Sequence, residues 1–197
     1  ILARSGLVSV ERRGASTLCN KLNLLSDVFA DLMVSADTDP LGLLKGTVAP
    51  SPQGTLSLAD YAHIQPSLDI LQPYLQHTAQ TCRRGVNIFL HGAPGTGKSE
   101  LARALAQELG CELFEVSSED EDGDPINGEH RLRAFRAAQS FFAQRTALVV
   151  FDEAEDVFND GDLMFGRKST AQVRKAWVNR MLEDNPVPTV WLSNAVR

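Results

Sequence analysis

Residues 92–99 read GAPGTGKS and satisfy the pattern G-x-x-x-x-G-K-[ST] at every defined position. The motif lies between an apolar segment, VNIFL, and a helix-forming segment, SELARALAQEL. In this context the glycines let backbone N–H groups converge on phosphate oxygens, and the positive end of the following helix adds to the attraction. A glycine-rich turn that binds nothing is the alternative, and the flanking strand and helix disfavour it. The sequence therefore predicts a phosphate-binding P-loop in an α/β fold.

The P-loop predicts which side chains contact ATP and Mg²⁺. Lys98 stands where its ammonium can bridge the β- and γ-phosphates, and the Ser99 hydroxyl can ligate Mg²⁺. The nucleotide-binding residues predicted at this loop are Gly92, Ala93, Pro94, Gly95, Thr96, Gly97, Lys98, Ser99 and Glu100.

A second motif, ALVVFDE at residues 147–153, ends an apolar segment in two acids. A buried parallel strand delivers its last side chains to the carboxyl edge of the sheet, where ligands of open α/β folds bind. We predict that Asp152 holds Mg²⁺ through water and that Glu153 orients and polarises the attacking water. Adjacent acids after a strand are otherwise a helix N-terminal signal, but the P-loop upstream favours the catalytic interpretation.

Apolar segments and helical patterns alternate after the P-loop, which predicts a parallel sheet with crossover helices. The predicted strands are residues 86–90, 112–116, 147–151 and 189–192, and the predicted helices are residues 97–109, 129–144 and 170–183, with another near residues 68–79. Upstream, helical spacing predicts a helix from Ser16 or Thr17 to about Val34, and the Pro- and Gly-rich residues 35–55 indicate a linker or an extended wrap. We therefore expect an N-terminal helical appendage with linker over residues 1–55 and an ATP-binding core over residues 56–197.

Composition excludes several other classes. The chain of 197 residues has a formal net charge of −6, so a nucleic-acid partner is unsupported. Its three cysteines are odd in number and form no C-x-x-C pair, which favours reduced thiols in the cytoplasm. No apolar run reaches the length of a membrane span. The acidic residues 119–124 are followed by Pro125 where a calcium loop needs glycine, and no histidine spacing suggests zinc, so neither a calcium nor a transition-metal site is expected.

Two other classes of P-loop protein can be tested against the same sequence motifs. A GTPase would be expected to carry N-K-x-D for guanine, and the nearest match, NKLN at residues 20–23, precedes the P-loop and ends in Asn. A small-molecule kinase would not need Glu directly after Asp152. ATP hydrolysis is favoured over both.

Together the three motifs GAPGTGKS, VVFDEAED and TVWLSN resemble those of the AAA+ ATPases, and within them the AAA family proper, over residues 57–194. The resemblance implies a three-layer αβα P-loop NTPase with strand order 1-4-3-2 and the fifth strand absent from this chain. It also makes Asn194 a sensor-1 residue that contacts the attacking water or the γ-phosphate. By the same resemblance the segment Tyr61, Ala62, His63 and Ile64 lines the adenine, although Tyr61 or Ile64 as core residues is an equal alternative.

The resemblance further implies a homo-oligomeric ring, usually a hexamer, that remodels a protein client. The segment PING at residues 125–128 lacks the aromatic residue that grips a threaded polypeptide in that family, which puts threading in doubt. The basic residues Arg167, Lys168, Arg174, Lys175 and Arg180 form a solvated face or a subunit contact, with Arg174 and Arg180 able to reach a neighbour's acids. AAA+ modules continue past sensor 1 to an arginine finger, a fifth strand and a helical lid. We therefore expect residues 1–197 alone to bind nucleotide weakly, to hydrolyse it poorly or not at all, and to leave a sheet edge exposed.

Three functions stay open at this point. The first is an ATP-driven remodelling protein or molecular switch. The second is a nucleotide-gated regulatory or scaffold module that signals through the N-terminal appendage and hydrolyses slowly. The third is a DNA-replication or loader ATPase. It requires a basic surface, and only residues 167–180 contain a cluster of basic side chains.

Overall fold

A computed structural model describes residues 5–10, 17, 21–34, 41–120, 122–158 and 169–194. The strands are β1 (Val8–Val10), β2 (Leu22–Leu24), β3 (Val48–Pro50), β4 (Asn87–His91), β5 (Glu112–Val116), β6 (Ala147–Phe151) and β7 (Thr189–Ser193). The helices are α1 (Asp27–Val34), α2 (Gln65–Thr81), α3 (Lys98–Leu109), α4 (Gly128–Phe141), α5 (Glu155–Phe158), α6 (Thr170–Val173) and α7 (Lys175–Asp184). Short 3₁₀ segments cover Gly42–Leu44 and Leu58–Ile64.

The main sheet has five strands in the order β3-β5-β6-β7-β4. The four strands β4 to β7 are parallel, and counted along the chain from β4 they give the predicted order 1-4-3-2. β3 adds an antiparallel strand beside β5. The mainly parallel α/β architecture is therefore confirmed. In the described part of the chain β4 pairs with β7 alone, and Phe89 on β4 is 53% exposed.

Helices cover both faces of this sheet, because its central strands are apolar on both sides. Along β6, Val149 and Phe151 join the cluster formed with α4 and α7, whereas Leu148 and Val150 join clusters formed with α2 and α3. All five residues of β6 and of β7 are buried. The result is the expected three-layer arrangement, with the carboxyl ends of β4, β6 and β7 at one edge.

The helix predicted from Ser16 or Thr17 to Val34 is wrong over its first part. Ser16 lies outside the described residues, and residues 22–24 form a strand that pairs with β1, so that the helix starts only at Asp27. The alternation Leu-Asn-Leu suits a strand, and the guanidinium of Arg133 donates to both the side-chain and backbone oxygens of Asn23, at 2.8 and 2.9 Å. As far as residues 5–34 are described, the N-terminal part has a two-stranded sheet and one α-helix, and is not mainly helical.

For residues 35–55, where a linker or an extended wrap is expected, a linker is wrong over Val48–Pro50, which is an extended strand of the main sheet, and residues 35–40 lie outside the described residues. Proline is tolerated there because β3 is an edge strand and needs no donor on its outer side. Val48, together with Leu25 and Phe29 upstream, belongs to the buried cluster that also contains residues of α4 and β6. The division into residues 1–55 and 56–197 stays a prediction, but the two parts share one core.

Candidate functional site

The loop at residues 92–97 turns from β4 into α3 as predicted, and its geometry depends on Gly97. Gly97 has φ +82°, and a Cβ added there would lie 3.1 Å from the hydroxyl oxygen of Tyr61. A side chain at this position would meet both backbone strain and a steric contact. The helix α3 begins at Lys98, so the unpaired N–H groups of its first turn face the loop. This is the arrangement that binds phosphate groups at a helix N-terminus.

Lys98 and Asn194, predicted from separate motifs, meet across this loop. The Lys98 ammonium donates to the carbonyl oxygens of Gly92 and Ala93 at 2.9 and 3.1 Å, and to Asn194 Oδ1 at 2.9 Å. Asn194 follows β7, which pairs with β4 in the sheet. The structure thus brings the P-loop cation and the predicted sensor amide within hydrogen-bonding distance.

Ser99 and Asp152 form the second predicted pair. The Ser99 hydroxyl donates to Asp152 Oδ2 at 3.2 Å. A hydroxyl and a carboxylate oxygen that converge in this way fit Mg²⁺, which prefers oxygen ligands and takes its remaining ligands from water and phosphate. The donor set therefore fits the metal that the motifs imply. The described residues contain no group of three or more His, Cys, Asp or Glu side chains that could hold a metal ion.

Glu153 directly follows the metal-binding candidate in a constrained turn. Its φ is +52°, in the left-handed region that residues with a Cβ rarely adopt, and its N–H donates to Asp152 Oδ1 at 2.8 Å. Burial raises the pKa of Glu153, and the nearby carboxylates of Asp156 and Asp152 raise it further, against an opposite effect of Arg131. A carboxylate with a raised pKa has a higher affinity for the proton of a bound water, as a general base requires.

Two charged residues that were not predicted from the sequence, the half-buried Glu155 and the buried Arg131, contact this site. Glu155 Oε1 accepts the backbone N–H of Asn194 at 3.0 Å, and Glu155 Oε2 is buried with no hydrogen-bond partner. Burial raises the pKa of Glu155, but the hydrogen bonds that it accepts, the strongest from the Asn194 backbone, together with the charge of Lys98 outweigh burial, so the net shift is downward. Glu155 thereby fixes the backbone of the predicted sensor.

Arg131, on α4, is the second. Its guanidinium contacts the backbone of Asp152 and Glu153 and the side chain of Asp156. Burial lowers the pKa of Arg131, and the carboxylates of Asp156, Glu153 and Asp152 act against that shift. The residues from 152 to 156 could have suggested a buried cation, but no local pattern indicates which arginine supplies it.

The predicted adenine-lining segment lies beside the P-loop, with its four residues in different environments. Tyr61 is 4% exposed and its hydroxyl donates to the Gly97 carbonyl at 2.8 Å. Burial raises the pKa of Tyr61, as do the charges of Glu100 and Asp60. Ala62 and His63 are exposed, and Ile64 packs at the edge of the α2–α3 cluster. Tyr61 therefore contacts the P-loop through its hydroxyl group. Contact of this segment with adenine stays a prediction.

Glu100, the last residue predicted at the loop, points toward the segment that precedes the core. Its Oε2 accepts the N–H of Thr55 at 2.8 Å and that of Leu56 at 3.4 Å, and its Oε1 pairs with Arg103 at 2.6 Å. The hydrogen bond from Thr55 and the pairing with Arg103 lower the pKa of Glu100 to about 2. Direct contact of Glu100 with nucleotide stays a prediction.

The basic residues after the acids are only partly described. Arg167 and Lys168 lie outside the described residues. Arg174 forms an ion pair with Glu129 of the same chain at 2.7 Å. The expected contact of Arg174 with acids of a neighbouring subunit would require this ion pair to break. Among the described helices, none is long and apolar enough to cross a membrane.

Comparisons with known proteins identify the family of this chain. Residues 88–195 match the model of the family described as "ATPase family associated with various cellular activities (AAA)". The chain is 31% identical over 111 residues to the ATPase family gene 2 protein homolog B of Mus musculus, covering 53% of this chain and 15% of that protein. It is 28% identical over 113 residues to the replication factor C large subunit of Haloquadratum walsbyi, covering 55% and 20%. It is 37% identical over 86 residues to the ATP-dependent zinc metalloprotease FtsH of Cutibacterium acnes, covering 40% and 12%.

Each of these relatives is much longer than the segment it shares with this chain, which spans 12 to 20% of their lengths. Among solved structures, PCH-2 of C. elegans matches with a TM-score of 0.43 and 17% identity, over 64% of this chain and 37% of that one. The family match covers more than half of the 197 residues, including the P-loop, the two acids and Asn194. The chain therefore belongs to the AAA family of ATPases.

Proposed function

We propose that this chain binds ATP with Mg²⁺ and hydrolyses it, and that the energy drives conformational remodelling of a client protein. The convergence of Lys98, Asn194, Asp152 and Glu153 at one edge of the sheet carries this proposal. Membership of the AAA family implies an ATP-dependent activity. The specific reaction follows from the chemistry of the converging groups.

Each group has a distinct role in the proposed reaction. The Lys98 ammonium neutralises the β- and γ-phosphates, and Ser99 and Asp152 hold Mg²⁺, which lowers the charge repulsion between phosphate and attacking water. Glu153 orients that water and accepts its proton as the water oxygen bonds to the γ-phosphorus. The bond from the γ-phosphorus to the bridging oxygen breaks, and ADP and phosphate leave. The Asn194 amide senses the γ-phosphate or the attacking water.

The proposed working form is a homo-oligomeric ring, in the usual case a hexamer, with ATP and ADP as its small-molecule partners. AAA proteins commonly form oligomeric assemblies, and arginines from a neighbouring subunit add large rate factors in related P-loop enzymes. The exposed thiol of Cys82 and the half-buried thiol of Cys111 are both free, which favours a reducing, cytoplasmic location. A net charge of −6 gives no support for nucleic acid as the client.

A nucleotide-gated regulatory module is a second candidate, because the segment before the core is attached directly to the helix that follows the P-loop. Glu100 and Arg103 on α3 contact Thr55 and Ser51, the latter at 3.0 Å from Arg103 Nε. A nucleotide that shifts the start of α3 would move this segment without any need for fast hydrolysis. The segment therefore offers a route by which bound ATP signals to the N-terminal part.

Glu153→Gln separates the two candidates. If the chain is a remodelling ATPase, this variant keeps ATP affinity within about threefold, loses turnover by about 100-fold or more, and accumulates ATP-bound oligomers in light scattering. Lys98→Ala is the control, because it removes the phosphate contact and is expected to weaken ATP binding itself. Two results together would favour the regulatory module. The wild-type protein would bind ATP without turnover, and ATP would change the assembly of wild type and of Glu153→Gln equally. Wild-type protein that does not bind ATP would overturn both.

A further inference from the structure

Arg131 is a charged residue that the folded chain removes from water completely. Its side chain is 0% exposed, in the first turns of α4. Burial of a guanidinium is unfavourable unless its donors are paired, so the partners of Arg131 indicate what the burial achieves. Those partners come almost entirely from one turn.

Three of the four polar contacts of Arg131 go to residues 152–156. The guanidinium donates to the backbone carbonyls of Asp152 and Glu153, the second at 3.4 Å, and to Asp156 Oδ2 at 2.9 Å. Its Cζ lies 4.4 Å from the centre of the Phe151 ring, which ends β6. The fourth contact is the carbonyl of Ser117, directly after β5, at 3.2 Å. The guanidinium therefore joins the ends of two adjacent strands with the turn that carries the two acids.

That turn needs an external constraint because Glu153 adopts φ +52°. A residue with a Cβ leaves this conformation readily unless surrounding contacts hold it. Two adjacent carbonyls held by one planar guanidinium fix the orientation of the peptide groups on either side of the Glu153 Cα. The direction in which the Glu153 side chain leaves the backbone then follows.

We propose that Arg131 is a positioning residue for ATP hydrolysis, which holds the turn at residues 152–153 so that the Glu153 carboxylate meets the attacking water. This inference rests on the proposed hydrolytic function. Arg131 itself contacts neither nucleotide nor metal in this scheme, because its side chain is fully buried and makes four hydrogen bonds to the protein. It acts on the chemical step through the backbone, and the binding of ATP through the P-loop does not depend on it.

Arg131→Lys provides the test, since lysine keeps the charge but cannot hold two carbonyls in one plane. We expect kcat to fall by about 100-fold, because displacement of a reacting group by about 1 Å has an effect of that size. The KM and the ATP dissociation constant are expected to stay within about threefold of wild type. A purely structural role would not produce this split between kcat and binding.

Arg133→Lys is the matched control, because Arg133 is two residues further on the same helix and is 6% exposed. Its guanidinium contacts Asn23 of the N-terminal part. This variant is expected to lose stability and to keep kcat. A fall in kcat for both variants alike would assign Arg131 to general stability and overturn the proposal.

Asp156→Asn keeps the proposal testable if Arg131→Lys does not fold. The Asp156 side chain is 48% exposed, so the substitution is compatible with folding, and it removes the carboxylate that holds one side of the guanidinium. We expect kcat to fall about three- to tenfold with ATP affinity unchanged. If each of the variants Arg131→Lys and Asp156→Asn that folds has the kcat of wild type, the inference is refuted. Absence of turnover in the wild-type oligomer, measured in the same assay, would instead refute the hydrolytic function, and the inference with it.

Discussion

At the scale of single residues, Lys98 and Asn194 form a contact that ATP must alter. The ammonium that is expected to neutralise phosphate lies 2.9 Å from Asn194 Oδ1. Asn194→Asp would replace this neutral acceptor with a carboxylate that competes with the phosphates and repels them. We expect the ATP dissociation constant to rise about tenfold, equivalent to about 1.4 kcal/mol. Titration with ATP in a calorimeter would measure this change.

Asn194→Ala is the comparison for that experiment. It removes the acceptor without adding charge, so ATP affinity is expected to stay within about threefold while turnover falls. An equal loss of affinity in the Ala and Asp variants would show that Asn194 acts in some other way than by holding the Lys98 ammonium.

The two described cysteines should differ in reactivity because their surroundings differ. Burial raises the pKa of the Cys111 thiol to about 11, and Cys82 is exposed. At pH 8 only about one Cys111 thiol in a thousand is then the reactive thiolate. We expect iodoacetamide to modify Cys82 at least about 100-fold faster, and the Cys111 rate to rise about tenfold per pH unit between pH 8 and 10. Peptide mass spectrometry on a time course measures both rates.

The same time course in denaturant supplies the control, since unfolding removes the burial of Cys111 and should equalise the two sites. Equal rates in the folded protein would contradict the environment described for Cys111.

The residues that could be predicted from sequence are those whose role is set by a local pattern. Lys98, Ser99, Asp152 and Glu153 stand in short motifs, and the strand that precedes each motif fixes the edge of the sheet at which it lies. The role of Arg131 depends on the approach of α4 to the end of β6, and no spacing along the chain encodes that approach. Its contacts only become visible once the layers are packed.

At the scale of elements, the end of α2 is strained at Cys82. Cys82 caps this helix with φ 49° and ψ 40°, in the left-handed region, and its N–H bonds to the Thr78 carbonyl. A side chain in this conformation costs about 1–2 kcal/mol. Glycine would remove this strain, but the greater entropy of the unfolded chain that contains glycine offsets part of the stabilisation. We expect Cys82→Gly to raise the free energy of unfolding by about 0.5–1 kcal/mol, measured by urea denaturation.

Gln80→Gly, two residues earlier and inside the helix, provides the opposite control. There glycine is expected to lower the free energy of unfolding by about 0.5–1 kcal/mol, because the position has helical geometry. If both glycine substitutions destabilise the protein, the left-handed backbone at residue 82 does not favour glycine there, and the prediction is wrong.

Among the elements, the strands and helices after the P-loop could be predicted because their apolar patterns are long or bounded by motifs. The helix predicted over residues 170–183 is divided at Arg174, whose backbone leaves helical geometry with φ −114° and ψ 29°. Three short strands, Val8–Val10, Leu22–Leu24 and Val48–Pro50, were not predicted because three residues carry too little pattern. Pro50 in particular is typical of a loop, and its place in a strand depends on the free edge beside it.

At the scale of the whole molecule, one buried cluster extends from the N-terminal part through the α4 side of the sheet. Leu25 and Phe29 are 1% and 2% exposed and share this cluster with Phe135 and Trp191. His130 at the start of α4 also contacts the Leu25 carbonyl at 2.8 Å. Composition indicated a boundary near residue 55, but composition alone does not show that two segments of unlike character pack against the same helix.

This shared core predicts that the described parts unfold together. Both tryptophans, Trp177 and Trp191, lie in the ATP-binding part, whereas Phe29 lies far from them in sequence. Phe29→Ala should remove about 3–5 kcal/mol from the free energy of unfolding. If the core is one unit, the tryptophan fluorescence transition in urea moves to lower concentration by the same amount as the transition followed by far-UV circular dichroism. Val34→Ala, at an 88% exposed position of the same helix, should leave both transitions within about 0.5 kcal/mol of wild type. A fluorescence transition unmoved by Phe29→Ala would show instead that the N-terminal part folds on its own, because the tryptophans would then report a core that does not depend on Phe29.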